Sequence, residues 1–317
     1  VVLVLISAAT AAVGLVLTEI ALRFFAVTSL SIALLSNIAG GVVLLIPTLR
    51  RPDAWRGWPA ADWLRLSAAA LTVFALGFVL LYTAIGHLGS SKSSLLGRLE
   101  VIFVIVLAVI FLGEQWSRRH WISSFLALGG AVLINFDLTV WQLKFGRGEL
   151  LNVLAAFVFA AGIVAFKPLL DRRDASVVTG SGLLLGAVFL VPLFYADFGG
   201  VGAIGVATAI DPASSVFGVA ESGLAGLGWL AWLTLGVRGV MLGVSWATYN
   251  VAMRHLGASR CSVLFLSLVL FTLALQTALD ALAPGLGLQV PSNPVAAVLG
   301  GLMIFISIVV IQRGTSE

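Results

Sequence analysis

About ten stretches of roughly 20 apolar residues follow one another along the chain. Each is long enough to cross a hydrocarbon core of about 30 Å at about 1.5 Å per helical residue. The spans read as 1 to 23, 28 to 49, 62 to 87, 91 to 113, 119 to 136, 149 to 169, 176 to 196, 227 to 255, 260 to 283 and 294 to 312. A backbone in lipid must satisfy its own hydrogen bonds, so each span is expected to be helical. The short alternating segments of a transmembrane barrel are absent. Composition agrees, with 60% hydrophobic and 10% charged residues and a mean hydropathy of +1.12. A soluble domain carries about a quarter charged residues. The expected class is therefore an all-α integral membrane protein of about ten transmembrane helices. The first segment reads as a span, since it shows no small-residue cleavage pattern of a signal peptide.

Basic residues give an orientation. With a cytoplasmic N-terminus, the inner loops and helix ends carry Arg50, Arg51, Arg56, Arg65, Arg118, Arg119, Lys167, Arg172, Arg173, Arg254, Arg260 and Arg313, against Arg23, Lys92, Lys144 and Arg147 outside. Both termini are thus expected inside. The net charge of +4 reads as loop bias, with no basic patch interleaved with aromatics for nucleic acid. The single Cys261 excludes an intramolecular disulfide and a zinc-ligand cluster, and neither a metal nor a cofactor is expected. Eight of the nine tryptophans fall near expected helix ends, where an amphipathic indole suits the headgroup region; Trp246 alone lies deep.

A repeated stretch organises the chain. "HLGSSKSSLLGRLEVIF" starts at His87 and "HLGASRCSVLFLSLVLF" at His255, matching Gly89 with Gly257, Lys92 with Arg260, Ser94 with Ser262 and Leu96 with Leu264. Each reads as a helical hairpin, its glycine closing one helix in the left-handed conformation and a following serine capping the next. "ALGGAVLI" at 127 to 134 resembles "VLGGLMIF" at 298 to 305, and "VGLV" at 13 to 16 weakly resembles "GIV" at 162 to 164. The expected organisation is two five-helix units, 1–136 and 149–317, joined by an outer linker at 137–148. Five helices per unit makes the repeats inverted, an architecture of many secondary transporters. A duplicated structural bundle is the alternative.

The segment "GRLEVIFVIVLAVIFLGEQWSRRHWISSFLALGGAVLI" resembles the signature of the EamA domain of the drug/metabolite transporter superfamily, and the likeness extends over nearly the whole chain as two such units. Within that superfamily the ten-helix plan is similar to the YddG-type exporters of aromatic and other amino acids. The resemblance implies a bacterial inner-membrane location and export of a small molecule. Val101 stands where the family often has proline, and the second unit ends its equivalent helix with "TALDALAP" in place of Leu-Gly-Glu.

Charges separate into two groups. Glu19 and Arg23, Lys167 and Asp171, and Glu114 and Arg118 are each four residues apart near a membrane face and read as interface pairs, the last of them exposed. Thr272, Gln276 and Asp280 form a polar stripe that lines a vestibule or bonds neighbouring helices. Arg98, Glu100 and Arg238 lie deep, where a charge costs about 2.5 to 3.5 kcal/mol on insertion scales and normally faces a cavity or a partner. On a continuous helix Arg98 and Glu100 differ by about 200° and point to opposite sides. Leu266 and Leu268 stand opposite them in the second repeat. Ser94 shares a face with Arg98, and Arg238, Ser245 and Tyr249 share another beside the small face Gly236, Gly239 and Gly243. A buried Glu100 to Arg238 clamp is the structural alternative to a substrate role.

Tyr82, Trp246 and Tyr249 carry polar atoms deep in their spans and suit a wet cavity. The expected substrate site is therefore Tyr82, Ser94, Arg98, Glu100, Arg238, Ser245, Trp246 and Tyr249. Arginine would hold a carboxylate, the aromatic residues would surround a side chain, and Glu100 would carry a coupling proton. The chain reads as a secondary transporter exporting small metabolites, amino acids including aromatic ones first among them, by alternating access. A multidrug or nucleotide-sugar carrier, or a channel, is the alternative. No P-loop, paired-histidine motif or nucleophile elbow supports an enzyme.

Overall fold

The computed structural model describes residues 1–25, 27–50, 52–113, 118–135, 146–198, 228–283, 288 and 294–312. All regular structure among them is helical: α1 (Val2–Arg23), α2 (Ser29–Leu45), α3 (Ala60–Ala69), a π-helical stretch (Ala70–Gly77), α4 (Phe78–Leu96), α5 (Leu99–Leu112), α6 (Arg118–Asn135), α7 (Arg147–Leu170), α8 (Ala175–Phe198), α9 (Trp229–Leu256), α10 (Ala258–Leu264), α11 (Leu268–Leu282) and α12 (Pro294–Gln312), with short 3-10 turns between some of them. Among the described residues, seven helical stretches are long and apolar enough to cross a membrane: Val2–Arg23, Ser29–Thr48, Ala60–Ser90, Arg147–Leu170, Ala175–Tyr195, Trp229–Leu256 and Ala258–Leu282. The Glu114 partner of Arg118, the linker at 137–145 and the loop at 199–227 lie outside the described residues.

Helices from the two halves of the chain interleave. α1 packs on α9 and α11, α2 on α8 and α9, α7 on α4 and α5, and α6 on α12. The α2–α9 crossing is close because it lacks side chains: a Cβ on Gly40 would lie 2.7 Å from the Gly239 carbonyl oxygen, and one on Gly243 would lie 2.9 Å from that of Gly40. Two of the three glycines expected to form a small face, Gly239 and Gly243, make this contact; Gly236 faces open space. The π-helical stretch lets the Phe74 carbonyl accept from Asn37 Nδ2 of α2 at 2.6 Å.

The two hairpin glycines adopt nearly the same backbone conformation, Gly89 at φ 78°, ψ 166° and Gly257 at φ 82°, ψ 162°. This is not the left-handed helical turn expected from the sequence but an extended conformation at positive φ, where a side chain is strained. The cap differs too. The Ser90 N–H and hydroxyl both donate to Glu19 of α1.

A second departure from the reading lies just beyond each hairpin. The expected continuous span 91 to 113 is broken: α4 ends at Leu96, residues 97 and 98 form a turn, and α5 starts at Leu99. At the equivalent place in the second half, α10 gives way to a 3-10 turn at Phe265–Ser267 before α11 begins. In the first break the Ser93 carbonyl accepts from Gly97 N at 2.9 Å and from Asn152 Nδ2 of α7 at 3.1 Å. The side-chain donor holds the broken turn in place.

Candidate functional site

The break changes the geometry inferred for Arg98 and Glu100. Arg98 is the N-cap residue of α5, and its Nε donates to the Ser94 carbonyl at 2.9 Å, while Glu100 sits in the first turn. The 200° separation of a continuous helix therefore does not apply, and both side chains line one cavity. The cavity has a volume of about 90 Å³. A single water centre needs about 10–15 Å³ by the same measure, so there is space for several waters.

Seven of the eight expected residues line this cavity: Ser94, Arg98, Glu100, Arg238, Ser245, Trp246 and Tyr249. Tyr82 does not. It is fully buried behind the wall, where its hydroxyl accepts from Arg238 Nη2 and its ring lies under the guanidinium, 4.7 Å from carbon to centroid. The wet environment expected for Tyr82 is replaced by a supporting position. Tyr249 bonds Ser262 of α10 at 2.9 Å, and Ser245 donates to the Ser7 carbonyl of α1 at 3.0 Å. Trp246 is wedged among Phe74, Phe78, Phe159 and Tyr249 at centroid distances of 5.2 to 6.3 Å.

The three charged residues of the cavity are buried, at 6% exposure for Arg98, 9% for Glu100 and 3% for Arg238. The clamp between Glu100 and Arg238 is not formed. Arg238 Nε instead donates to Thr18 Oγ1 of α1 at 3.1 Å, and its Nη1 is buried without a hydrogen-bond partner. Arg98 stacks on Phe265, 5.4 Å from the ring centroid. Among the described residues, no ion pair joins Glu100 to either arginine, and no hydrogen bond reaches its carboxylate. No group of three or more His, Cys, Asp or Glu is placed to hold a metal ion among the described residues.

Helix α1 was missed as a wall of the site. Ser7, Thr10, Ala11 and Gly14 line the cavity and Thr18 supports Arg238. Their spacings of three and four put these small and polar residues on one helix face, which is the signal that identifies them. From α7 come Phe159 and Ile163, and from the second hairpin Phe265 and Leu268, the latter being the counterpart of Glu100.

The expected pair of Glu19 with Arg23 forms, but its carboxylate lies inside the protein. Glu19 is fully buried, with Oε2 accepting from Ser90 N at 2.9 Å, from the Ser90 hydroxyl, and from Gln276 Nε2 of α11 at 3.2 Å. Its Oε1 faces Arg23 Nε at 3.4 Å, an ion-pair distance longer than a good hydrogen bond. The polar stripe on α11 thus bonds neighbouring helices through Gln276. Lys167 and Asp171 do form the expected pair, at 2.5 Å, with Asp171 about half exposed.

Residues 1–136 match the EamA-like transporter family. The chain is 28% identical over 127 residues to the pseudopaline exporter CntI of Pseudomonas aeruginosa, covering 39% of this chain and 43% of that one. It is 29% identical over 144 residues to a probable terminal-alkyne amino-acid exporter of Streptantibioticus cattleyicolor, covering 45% and 47%. The chain spans about half the length of the curated relatives it matches. A solved crystal structure shares its fold over 96% of both chains, with a TM-score of 0.67 and 17% identity. Over residues 1–136 the chain is thus similar to the EamA-like transporter family, and with seven membrane-length helices among its described residues it is an integral inner-membrane protein.

Proposed function

We propose that the chain is a secondary transporter that exports small metabolites, amino acids including aromatic ones first among them, by alternating access through the cavity between α1, α4, α5, α7 and α9. The observation that carries this reading is the set of three buried charges, Arg98, Glu100 and Arg238, facing one cavity without ion-pair partners among the described residues. Unpaired buried charges are costly, and a zwitterion entering the cavity supplies a counter-charge to Glu100 and to one arginine. A guanidinium holds a carboxylate through two parallel hydrogen bonds, Glu100 accepts the ammonium, and Trp246 and Tyr249 contact the side chain. Both relatives are named as exporters, and the name of the probable terminal-alkyne amino-acid exporter is in keeping with this substrate class.

Alternating access requires two exchangeable halves, here 1–136 and 149–317 joined by 137–148, with ten spans and both termini cytoplasmic. The like conformations of Gly89 and Gly257, and the helix interruptions that follow each, support a duplicated hairpin. So does the contact pattern, in which α1 packs on α9 and α11 while α7 packs on α4 and α5. Exposed apolar side chains such as Phe111, Leu233 and Phe305 suit contact with lipid. Glu100 is the carboxylate in position to carry a coupling proton, since Glu19 is committed to bonds within the fold.

The experiment is uptake into liposomes containing the purified protein, with a panel of amino acids, cationic dyes and nucleotide sugars, with and without a proton gradient. Saturable amino-acid counterflow is expected, and a non-saturating flux or a preference for dyes would defeat the reading. Topology has its own test: cysteines at Pro52, Ser117 and Asp174 should label from the cytoplasm, and at Val140 and Gly205 from outside.

A further inference from the structure

The charges around the cavity do not balance. Among its described lining residues the charged ones are Arg98, Arg238 and Glu100, two positive and one negative. The nearest other carboxylate along α1, Glu19, adds no compensation, because it is bonded to Ser90 and Gln276 and paired with Arg23. A neutral zwitterion places its carboxylate on one arginine and its ammonium on Glu100. The second guanidinium then stays buried without a counter-charge, the costly arrangement in a membrane interior.

Both guanidiniums are fixed and have donors to spare. Arg98 lies on the ring of Phe265 and spends Nε on the Ser94 carbonyl. Arg238 lies against Phe78 and Tyr82, spends Nε on Thr18 and Nη2 on Tyr82, and retains Nη1 without a partner. Those aromatic rings hold the arginines in place, and a fixed guanidinium edge is what a carboxylate recognises.

We infer, resting on the reading of this cavity as an amino-acid site, that it favours substrates carrying one more negative than positive charge: an ammonium with two carboxylates, in preference to the neutral zwitterion of the same size. Such a substrate gives each arginine a carboxylate and Glu100 the ammonium, and leaves no charge in the cavity unpaired. The same surplus positive charge is also open to a free inorganic anion, which the experiment must separate from a substrate carboxylate.

The test is counterflow of labelled glutamate and of labelled glutamine, a pair of nearly equal shape, in liposomes holding the full chain at neutral pH. It is run in chloride and in gluconate buffers. Glutamate is expected to half-saturate at about a tenfold lower concentration than glutamine in both buffers, the scale of one added charge pair. In Arg238→Gln, or in Arg98→Gln should the first variant not insert, the preference should shrink to about threefold or less. Glutamine carried as well as glutamate overturns the inference and leaves the amino-acid reading standing. So does glutamine matching glutamate only in chloride, which assigns the surplus charge to a free anion. If neither they nor any other amino acid of the panel is carried, the reading of the cavity falls, and the inference with it.

Discussion

Two carboxylates buried in the same bundle are treated in opposite ways. Glu19 is fully enclosed, and the atoms around it are donors: the backbone and hydroxyl of Ser90, the amide of Gln276 and the guanidinium of Arg23. Glu100, at 9% exposure, faces a cavity and has no bonded partner among the described residues. The first ties α1, the start of the first hairpin and α11 into one junction. The second lines one cavity with Arg98 and Arg238. A buried charge bonded and paired within its own fold serves that fold, and one that faces a cavity without a bonded partner marks where a ligand is expected.

The contrast breaks most visibly if Glu19 is removed. Glu19→Ala removes the acceptor shared by Ser90 and Gln276 and the carboxylate that faces Arg23, and the loss is expected to reach about 3–5 kcal/mol, as for other buried charge networks that lose one member. Thermal melting in detergent should show a marked fall, and liposome uptake of every substrate should fail with it. Glu100→Gln should instead leave the melting temperature nearly unchanged and abolish accumulation driven by a proton gradient. Retained accumulation would remove Glu100 as the proton carrier, and a collapse in stability would remove the difference between the two carboxylates.

Smaller effects sharpen the same comparison within the cavity. Arg98→Ala should weaken uptake of all amino acids by about tenfold or more, since it deletes a charge-assisted carboxylate contact. Trp246→Ala and Tyr249→Ala should discriminate by substrate, costing aromatic amino acids about 0.5–1.5 kcal/mol in half-saturation relative to small ones. Equal losses for alanine and phenylalanine would show that these rings only pack the protein. Lys167→Met, at the half-exposed pair with Asp171, is the small end of the scale, with an expected change of at most about 1 kcal/mol in stability.

Much of this arrangement was legible in the sequence, because lipid imposes a simple rule. Apolar runs of spanning length gave the helices to within a few residues for most of the chain, and the depth of Arg98, Glu100 and Arg238 within those runs pointed to the cavity. Three things escaped for identifiable reasons. The helix break at residues 97 and 98 is stabilised by Asn152, which is 59 positions from the Ser93 carbonyl it holds, so local pattern carried no sign of it. Glu19 read only as an interface pair because its neighbour Arg23 is one turn away, whereas Ser90 and Gln276 are 71 and 257 positions distant. Tyr82 was placed in the cavity by depth alone, yet its hydroxyl is occupied by Arg238 and its side chain stands behind the wall.

The claim that the cavity charges serve a ligand and the Glu19 junction serves the fold is tested most directly by ligand-dependent melting of the purified protein. Saturating amino acid should raise the melting temperature of the parent chain, because a ligand that binds only the folded state stabilises it. Arg98→Ala and Glu100→Gln should start from nearly the parent melting temperature and lose most of that rise. A full ligand-induced rise in both variants, or a ligand-free melting temperature as low as that of Glu19→Ala, would contradict the account.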